Sequence, residues 1–239
     1  MQNTAIKLLF FVAVWKRPVI TEICFMGISR LRKVPGFNIQ VLAVISEESM
    51  IPLCEKYGVD WCFTKNDPLG AKKNYGISQA LRKDFDYLVE IGSDDLFKDE
   101  FLNLYNWDRD IMALSDFIMM DTRTGECRRM TKHHAYFGTG RAISKKALQA
   151  VGTIWPDNIN KGLDNNSTMI MARKGFLEKR IATSEPVAIG LKSDVNIWPF
   201  EKLGSEYSLE QALNGLSNEE INAIQCLTLK NKLADSIGV

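Results

Sequence analysis

Apolar and polar positions come in blocks along the first hundred residues, and the period of each block predicts an element. Residues 6–14 are apolar apart from Lys7, too short a run to span a bilayer. Trp15-Lys16-Arg17-Pro18 stands where a signal peptide would carry small residues, so the run reads as a first core strand. Pro18 sits where a helix begins. Over 19–33, Ile20, Ile23, Cys24, Gly27, Ile28 and Leu31 recur at helical spacing until Pro35-Gly36. Residues 38–45 predict strand two. Ser46 caps a short helix to Tyr57, and Gly58 closes it. A strand over 60–64, a helix over 69–83 with Ile77, Ala80 and Leu81 inward, and a strand over 86–91 complete a β-α-β-α-β-α-β run. Such a run implies a parallel sheet with helices on both faces.

The second half carries a different pattern. Residues 116–121 and 127–132 flank a turn containing Gly125, a hairpin. Gly138-Thr139-Gly140-Arg141 reads as a loop, and Ser144 as the cap of a helix over 145–151. Trp155-Pro156 and 158–162 are loop. A helix is expected over 164–174 with Met169, Ile170 and Ala172 inside, then a strand-like stretch over 181–189 interrupted by Pro186. From Ser208 the tail is helical, with Ser217 and Glu220 spaced as a capping box. A catalytic domain over 1–200, nucleotide-binding in 1–97 and acceptor-facing in 98–200, followed by a helical appendage over 201–239, is the expected organisation.

Composition narrows the classes. The chain has 239 residues, with 30 Lys+Arg against 29 Asp+Glu. That balance supplies neither a basic field for nucleic acid nor an acidic tail. Cys24, Cys54, Cys62, Cys127 and Cys226 are scattered and odd in number, and none forms a C-x-x-C pair. A reducing, cytoplasmic setting is therefore expected, with no transmembrane segment. The two histidines, His133 and His134, are adjacent, which argues against a His-rich metal site.

The chemistry concentrates at strand ends. The apolar run 87–91 stops at Gly92-Ser93, and two carboxylates, Asp94 and Asp95, follow at once. Two like charges about 4 Å apart repel by roughly 4 kcal/mol at an effective dielectric near 20. Either a divalent cation on hard oxygen ligands offsets that cost, or Asp94 or Asp95 caps the next helix. Trp15, Lys16 and Arg17 follow strand one; Ser46, Glu47 and Glu48 follow strand two. In a strand order 3-2-1-4 these loops converge, because ligands of open parallel sheets bind where the order reverses. They would offer a wall for a base, carboxylates for ribose, and a metal position beside a pyrophosphate. For each loop taken alone, packing or helix-end charge is the competing explanation.

The motifs together resemble glycosyltransferases of the GT-A fold, an α/β Rossmann-like architecture, most like small family-two enzymes of bacteria and phages. The matching segments are Val14-Trp15-Lys16-Arg17-Pro18, Leu69-Gly70-Ala71-Lys72-Lys73-Asn74-Tyr75-Gly76, residues 87–95, Gly138-Thr139-Gly140-Arg141 and Gly162-Leu163-Asp164-Asn165. The family's D-x-D box appears as Ser93-Asp94-Asp95, with serine at the first carboxylate position. The resemblance implies metal-dependent, inverting transfer of a sugar from a nucleoside diphosphate to an acceptor hydroxyl. It implies Mn²⁺ or Mg²⁺ on Asp95, with Asp94 on the ribose or behind the metal. Lys72 and Asn74 would touch the nucleotide or diphosphate, and Gly138 and Gly140 would admit the sugar. Asp164 would be the general base, with Asp194 as second candidate. A helix cap is the other use of Asp164, a solvated helix face that of Lys72-Lys73, and a plain turn that of the glycines. Trp107, Trp155 and Trp198 are candidate stacking surfaces, with core packing as the alternative. The acceptor is open: a glycan, a protein or a modified nucleic-acid base. Two rival classes stand beside transfer. A nucleotidyltransferase expects a Gly-rich loop after strand one, which 14–18 lacks. A non-catalytic glycan-binding module would not require Asp94, Asp95 and Asp164.

Overall fold

Eight residues, Ile6–Ala13, form β1 in the interior of a seven-stranded sheet, where both faces of the strand are covered. The computed structural model describes residues 5–131, 137–193, 200 and 204–237. His133, His134, Asp194 and Trp198 lie outside the described residues. After β1 come α1 (Pro18–Leu31), β2 (Phe37–Ile45), a 3₁₀ turn Glu48–Met50, α2 (Ile51–Lys56), β3 (Asp60–Phe63), α3 (Leu69–Ala80) and β4 (Tyr87–Gly92). The chain continues through β5 (Asp95–Phe97), a 3₁₀ stretch Asp99–Leu104, β6 (Ile111–Leu114), β7 (Asp116–Asp121), β8 (Cys127–Thr131), β9 (Ala142–Ser144) and α4 (Lys145–Val151). Then follow α5 (Leu163–Arg173), β10 (Lys179–Ile181), β11 (Ala188–Lys192), β12 (Ser205–Tyr207), α6 (Leu209–Leu213) and α7 (Asn218–Ile237).

The large sheet has the order β10-β6-β9-β4-β1-β2-β3. β1 pairs in parallel with β2 and β4, and β2 with β3, which is the expected 3-2-1-4 arrangement. Side-chain alternation divides the core. Leu8, Phe10, Val12, Val89 and Ile91 face Cys24, Phe25, Ile28 and Leu31 of α1. Leu9, Phe11, Val44 and Leu88 face Ile77 and Ala80 of α3 with Ala147, Leu148, Leu163 and Met171. A second sheet, β12-β8-β7-β11-β5, carries the hairpin β7–β8 and packs α1 against α6 and α7 through Ile20, Ile23, Ala212, Leu213 and Ile224.

Several local expectations meet a different structure. Ser46 does not open the second helix; Glu47 precedes the 3₁₀ turn without a side-chain cap, and α2 starts only at Ile51. Asp95–Phe97 is a strand, paired antiparallel to β11, where the sequence suggested a helix start. The stretch 181–189 is not one strand but runs from the end of β10, paired with β6, to the start of β11, paired with β7 in the other sheet. α5 buries Leu163, Ser167 and Met171, one residue out of phase with the expected Met169, Ile170 and Ala172, and leaves Met169 exposed. Ser144 caps α4 by accepting the Ala147 N–H at 3.1 Å. The capping box is reciprocal: Glu220 accepts the Ser217 N–H at 2.6 Å, and Ser217 accepts the Glu220 N–H at 3.2 Å. Glu220 also holds Arg30 of α1 at 2.8 Å, which ties α7 to α1.

One glycine locks α3 onto the second half. A Cβ on Gly70 would lie 2.0 Å from the Pro156 carbonyl oxygen and 3.3 Å from that of Ile159. Gly70 N–H donates to Ile159 O at 3.0 Å, so neither backbone can retreat without losing a bond. Gly70→Ala is expected to destabilise the fold by about 1–3 kcal/mol through overpacking, read as a lower urea midpoint at unchanged slope. An unchanged midpoint would show that the 156–159 loop yields freely.

Candidate active site

The turn from β1 into α1 is built from two left-handed residues, Lys16 and Arg17, each at φ 55°. Non-glycine residues there are strained, and such strain gathers where a side chain must be aimed. Here it sends the Arg17 guanidinium across the strand ends to Asp94 Oδ2 at 3.2 Å and to Ser93 Oγ at 3.3 Å. Lys192, at the end of β11, reaches the same Asp94 oxygen at 3.0 Å. Burial works to raise the Asp94 carboxyl, but Lys192 and Arg17 together hold it below the ordinary carboxylate range.

Asp95 behaves differently. It is 2 % exposed and accepts the Gly92 N–H at 2.6 Å, closing the turn after β4. Burial, then the charge on Asp94, push its carboxyl up to about 7, against Lys192, the Gly92 N–H and the Thr139 hydroxyl. Of the two aspartates, Asp94 lines the adjoining cavity and Asp95, the expected metal ligand, does not.

That cavity, about 260 Å³, lies at the carboxyl ends of β1 and β4. Arg17, Ser93 and Asp94 line one end; Lys73, Glu90 and Asp164 line the other, with Gly138 and Thr139 between sheet and helix. The approach of Asp164 depends on Gly138: a Cβ there would lie 2.6 Å from Asp164 Oδ1 and 3.2 Å from Glu90 Oε1. Asp164 is not a helix cap. The cap position of α5 is Gly162, at φ 70°, and Asp164 stands in the first turn. A larger cavity, about 410 Å³, lies by Tyr87, Trp107 and Lys145 at the opposite ends of the strands. Ligands of open parallel sheets bind at the carboxyl ends, so the smaller cavity is the candidate.

The other expected residues do not line it. Trp15 is 40 % exposed, with Lys16 Nζ 4.5 Å from its ring centroid. Glu47 accepts the Lys16 N–H at 2.8 Å and so braces the strained turn. Lys72 is buried beneath that turn, donating to Val14 O at 2.5 Å and Asn66 Oδ1 at 3.0 Å. Burial pulls its ammonium down to about 8 in spite of Glu47. Asn74 faces the loop instead, donating to Trp155 O and Asp157 Oδ1, both at 2.7 Å. Gly140, at φ 76°, packs over Phe97, Phe101 and Leu114 rather than against the cavity. Trp155 is wholly buried, stacked near Phe11 in the core; Trp107 sits among Phe37, Tyr87 and Tyr105.

A buried charge network forms the cavity floor. Glu90, in the middle of β4, pairs with Lys73 of α3 and, at 2.8 Å, with Arg141. Arg141, 1 % exposed, also holds Glu178 at 3.1 Å, and Thr168 of α5 donates to Glu178 at 3.1 Å. Burial raises the Glu90 carboxyl, yet Lys73 and Arg141 outweigh it and keep it below the ordinary range. Burial raises Glu178, against Arg141. One signal for this floor was present in the sequence: a glutamate inside an otherwise apolar strand, Tyr87-Leu88-Val89-Glu90-Ile91.

No protein-family model matches the chain, and no curated protein sequence does. Solved structures do. The mannosyltransferase PcManGT from Pyrobaculum calidifontis, in complex with GDP-Man and Mn²⁺, superposes at TM-score 0.54 over 95 % of this chain and 75 % of its own, at 13 % identity. The chain adopts the GT-A fold. The inositol-1-phosphate CTP transferase from T. maritima matches at TM-score 0.53, 11 % identity, over 91 % of this chain and 100 % of its own. S. aureus TarS matches at TM-score 0.52 and 15 % identity over 96 % of this chain and 44 % of its own. At these identities the likeness is one of fold. Among the described residues no helix is long and apolar enough to cross a membrane.

The sequence raised the expectation of a divalent cation, and the lining residues can be tested for it. Among the described residues no three His, Cys, Asp or Glu side chains gather to hold a metal by themselves. The cavity lining does carry three carboxylates, Glu90, Asp94 and Asp164, against two cations, Arg17 and Lys73. The lining carboxylates thus outnumber the lining cations by one. Asp94 is the lining carboxylate that would hold a divalent cation, since Mg²⁺-type sites commonly use one carboxylate plus substrate phosphates.

The floor also sets the stability of the site. Arg141→Met would take from Glu90 and Glu178 the guanidinium that both hold. Breaking one partner of such a buried pair is expected to cost about 3–5 kcal/mol, measured by urea unfolding. A loss below about 1 kcal/mol would show that the network is dispensable.

Proposed function

We propose that this protein is a glycosyltransferase that moves a sugar from a nucleoside diphosphate to an acceptor hydroxyl with inversion at the anomeric carbon. The observation that carries the reading is the two-ended cavity. Arg17 and Asp94 mark a phosphate end, and Asp164 stands across Gly138 from Glu90. The diphosphate would lie toward Arg17, with the base and ribose over the turn of Trp15 and Glu47. Mn²⁺ or Mg²⁺, held by Asp94 and phosphate oxygens, would supply Lewis-acid stabilisation of the leaving diphosphate. Asp164 would take the proton of the acceptor hydroxyl as its oxygen bonds to the anomeric carbon. The bond from that carbon to the phosphate oxygen breaks at the same time, and the electron pair leaves with the diphosphate.

The likeness to a CTP transferase supports a second reading, synthesis of a nucleotide-sugar with release of pyrophosphate. The strained turn 14–18 contains no glycine, which weighs against a loop wrapped around a triphosphate. Pyrophosphate released from a nucleoside triphosphate and a sugar phosphate would decide for that reading.

Asp164→Asn separates a base from a structural carboxylate. The variant should keep its unfolding midpoint and its affinity for nucleoside diphosphate, and lose transfer by roughly 10²–10⁴-fold. Transfer at the parent rate would remove Asp164 from the mechanism.

The cation reading has its own test. Calorimetry should find that Mn²⁺ binds weakly to the protein alone and tightly once a nucleoside diphosphate is present, with Asp94→Asn abolishing the gain. Tight Mn²⁺ binding without nucleotide would point to a preformed site built by other residues.

A further inference from the structure

One buried cation beside the cavity is left unused by the transfer reading. Lys72 of α3 is 1 % exposed and does not line the cavity, although its neighbour Lys73 and, one turn earlier, Leu69 do. Its ammonium donates to Val14 O at 2.5 Å and to Asn66 Oδ1 at 3.0 Å. Both acceptors are neutral, and among the described residues Lys72 makes no ion pair. The cations around it are committed: Arg17 and Lys192 to Asp94, and Lys73 to Glu90. A buried ammonium held only by neutral groups is costly, and the cost is met either by an anion or by loss of the proton.

Burial brings the Lys72 ammonium down to about 8. Two titratable groups on neighbouring elements act the other way. Glu47, after β2, favours the charge while its carboxylate accepts the Lys16 N–H at 2.8 Å. Cys62 of β3 would favour it as a thiolate, but burial pushes that thiol up to about 11. Val14 leads into the left-handed pair Lys16 and Arg17, and Arg17 lines the cavity. Lys72 therefore grips the root of the turn over which the nucleotide lies in the transfer reading.

Resting on that reading, we infer that Lys72 is a positioning residue for the donor: it touches no phosphate oxygen, but its charge beneath the turn is completed by the bound diphosphate, so that nucleotide binding and protonation of Lys72 favour each other. Below about pH 8 the free protein already carries this charge. Above that, the free protein has lost the proton and the complex regains it. Nucleotide binding then takes up a proton, and affinity falls with rising pH by at most about tenfold per pH unit. The fold responds in the opposite sense. The unfolded chain holds the Lys72 proton more tightly than the folded one, so this group adds stability as pH rises from about 8 toward 10.5. A fall in affinity over that range is not a loss of fold through Lys72.

The test titrates UDP, GDP, CDP and ADP into the protein by calorimetry with Mg²⁺, from about pH 7 to about pH 9. Each titration is run in two buffers of different ionisation enthalpy, which counts the protons taken up. For a nucleotide that binds, the parent should take up close to one proton at about pH 9 and far less at about pH 7, with lower affinity at the higher pH. Lys72→Met should bind more weakly near neutrality and lose both the uptake and the pH dependence. Glu47→Gln keeps an acceptor for the Lys16 N–H but removes the charge that favours the ammonium. It should move the fall in affinity to lower pH, and this arm decides the matter even where Lys72→Met does not fold. Binding by the parent without proton uptake, uptake that persists in Lys72→Met, or an unmoved profile in Glu47→Gln overturns the inference and leaves the transfer reading standing. Absence of binding by all four nucleotides overturns the transfer reading, and this inference with it.

Discussion

Glu90 is a charge in the middle of a central strand, and much of the site is arranged to make its burial tolerable. An isolated carboxylate there would cost several kcal/mol. Lys73 approaches from α3 and Arg141 from the loop before β9, so a single residue joins three elements. The backbone repeats the connection, since Gly140 N–H donates to Glu90 O at 2.8 Å and Glu90 N–H to Arg141 O at 2.8 Å. Arg141 then extends the network to Glu178, and Thr168 carries it to α5, the helix that bears Asp164. The candidate base is positioned by the same ion network that lines the cavity floor.

The end of the cavity at Arg17 and Asp94 is built on an independent device. Two successive left-handed residues, about 1–2 kcal/mol each, place Arg17 over Asp94. Glu47 and Lys72 brace that turn from the ends of β2 and α3 through Lys16 N–H and Val14 O. The two ends meet at Gly138 and Thr139, where a glycine leaves room for Asp164 and a hydroxyl reaches Asp95.

The parallel half of the fold was legible from the sequence because its strands are buried on both faces and read as continuous apolar runs, as in 6–14 and 38–45. The second half was less so. β5, β9 and β10 are three residues each, too short to carry a period, and their pairing is decided by tertiary contacts. α5 was placed one residue out of phase because Ser167 occupies a buried position with its hydroxyl bonded to Asp164 O at 2.8 Å. At the site, the strand-end reading singled out Arg17 and Asp94 and the family resemblance Gly138 and Asp164, and the cavity brings these four together. Which of two adjacent aspartates faces the cavity was not legible, because it depends on the turn after β4. Lys72 and Lys73 pose the same problem one helix position apart: both are buried, but only Lys73 lines the cavity. The network of Glu90, Arg141 and Glu178 spans 88 positions of sequence, from 90 to 178, and no local pattern announces it.

The account rests on one location for the donor, the carboxyl ends of β1 and β4. A crystal structure of the protein soaked with the nucleoside diphosphate it binds, in the presence of Mn²⁺, tests that location directly. The account expects the diphosphate density beside Arg17 and Asp94, with the Mn²⁺ peak between Asp94 and the phosphate oxygens. Nucleotide bound instead at the opposite strand ends, in the cavity by Tyr87 and Trp107, would contradict it.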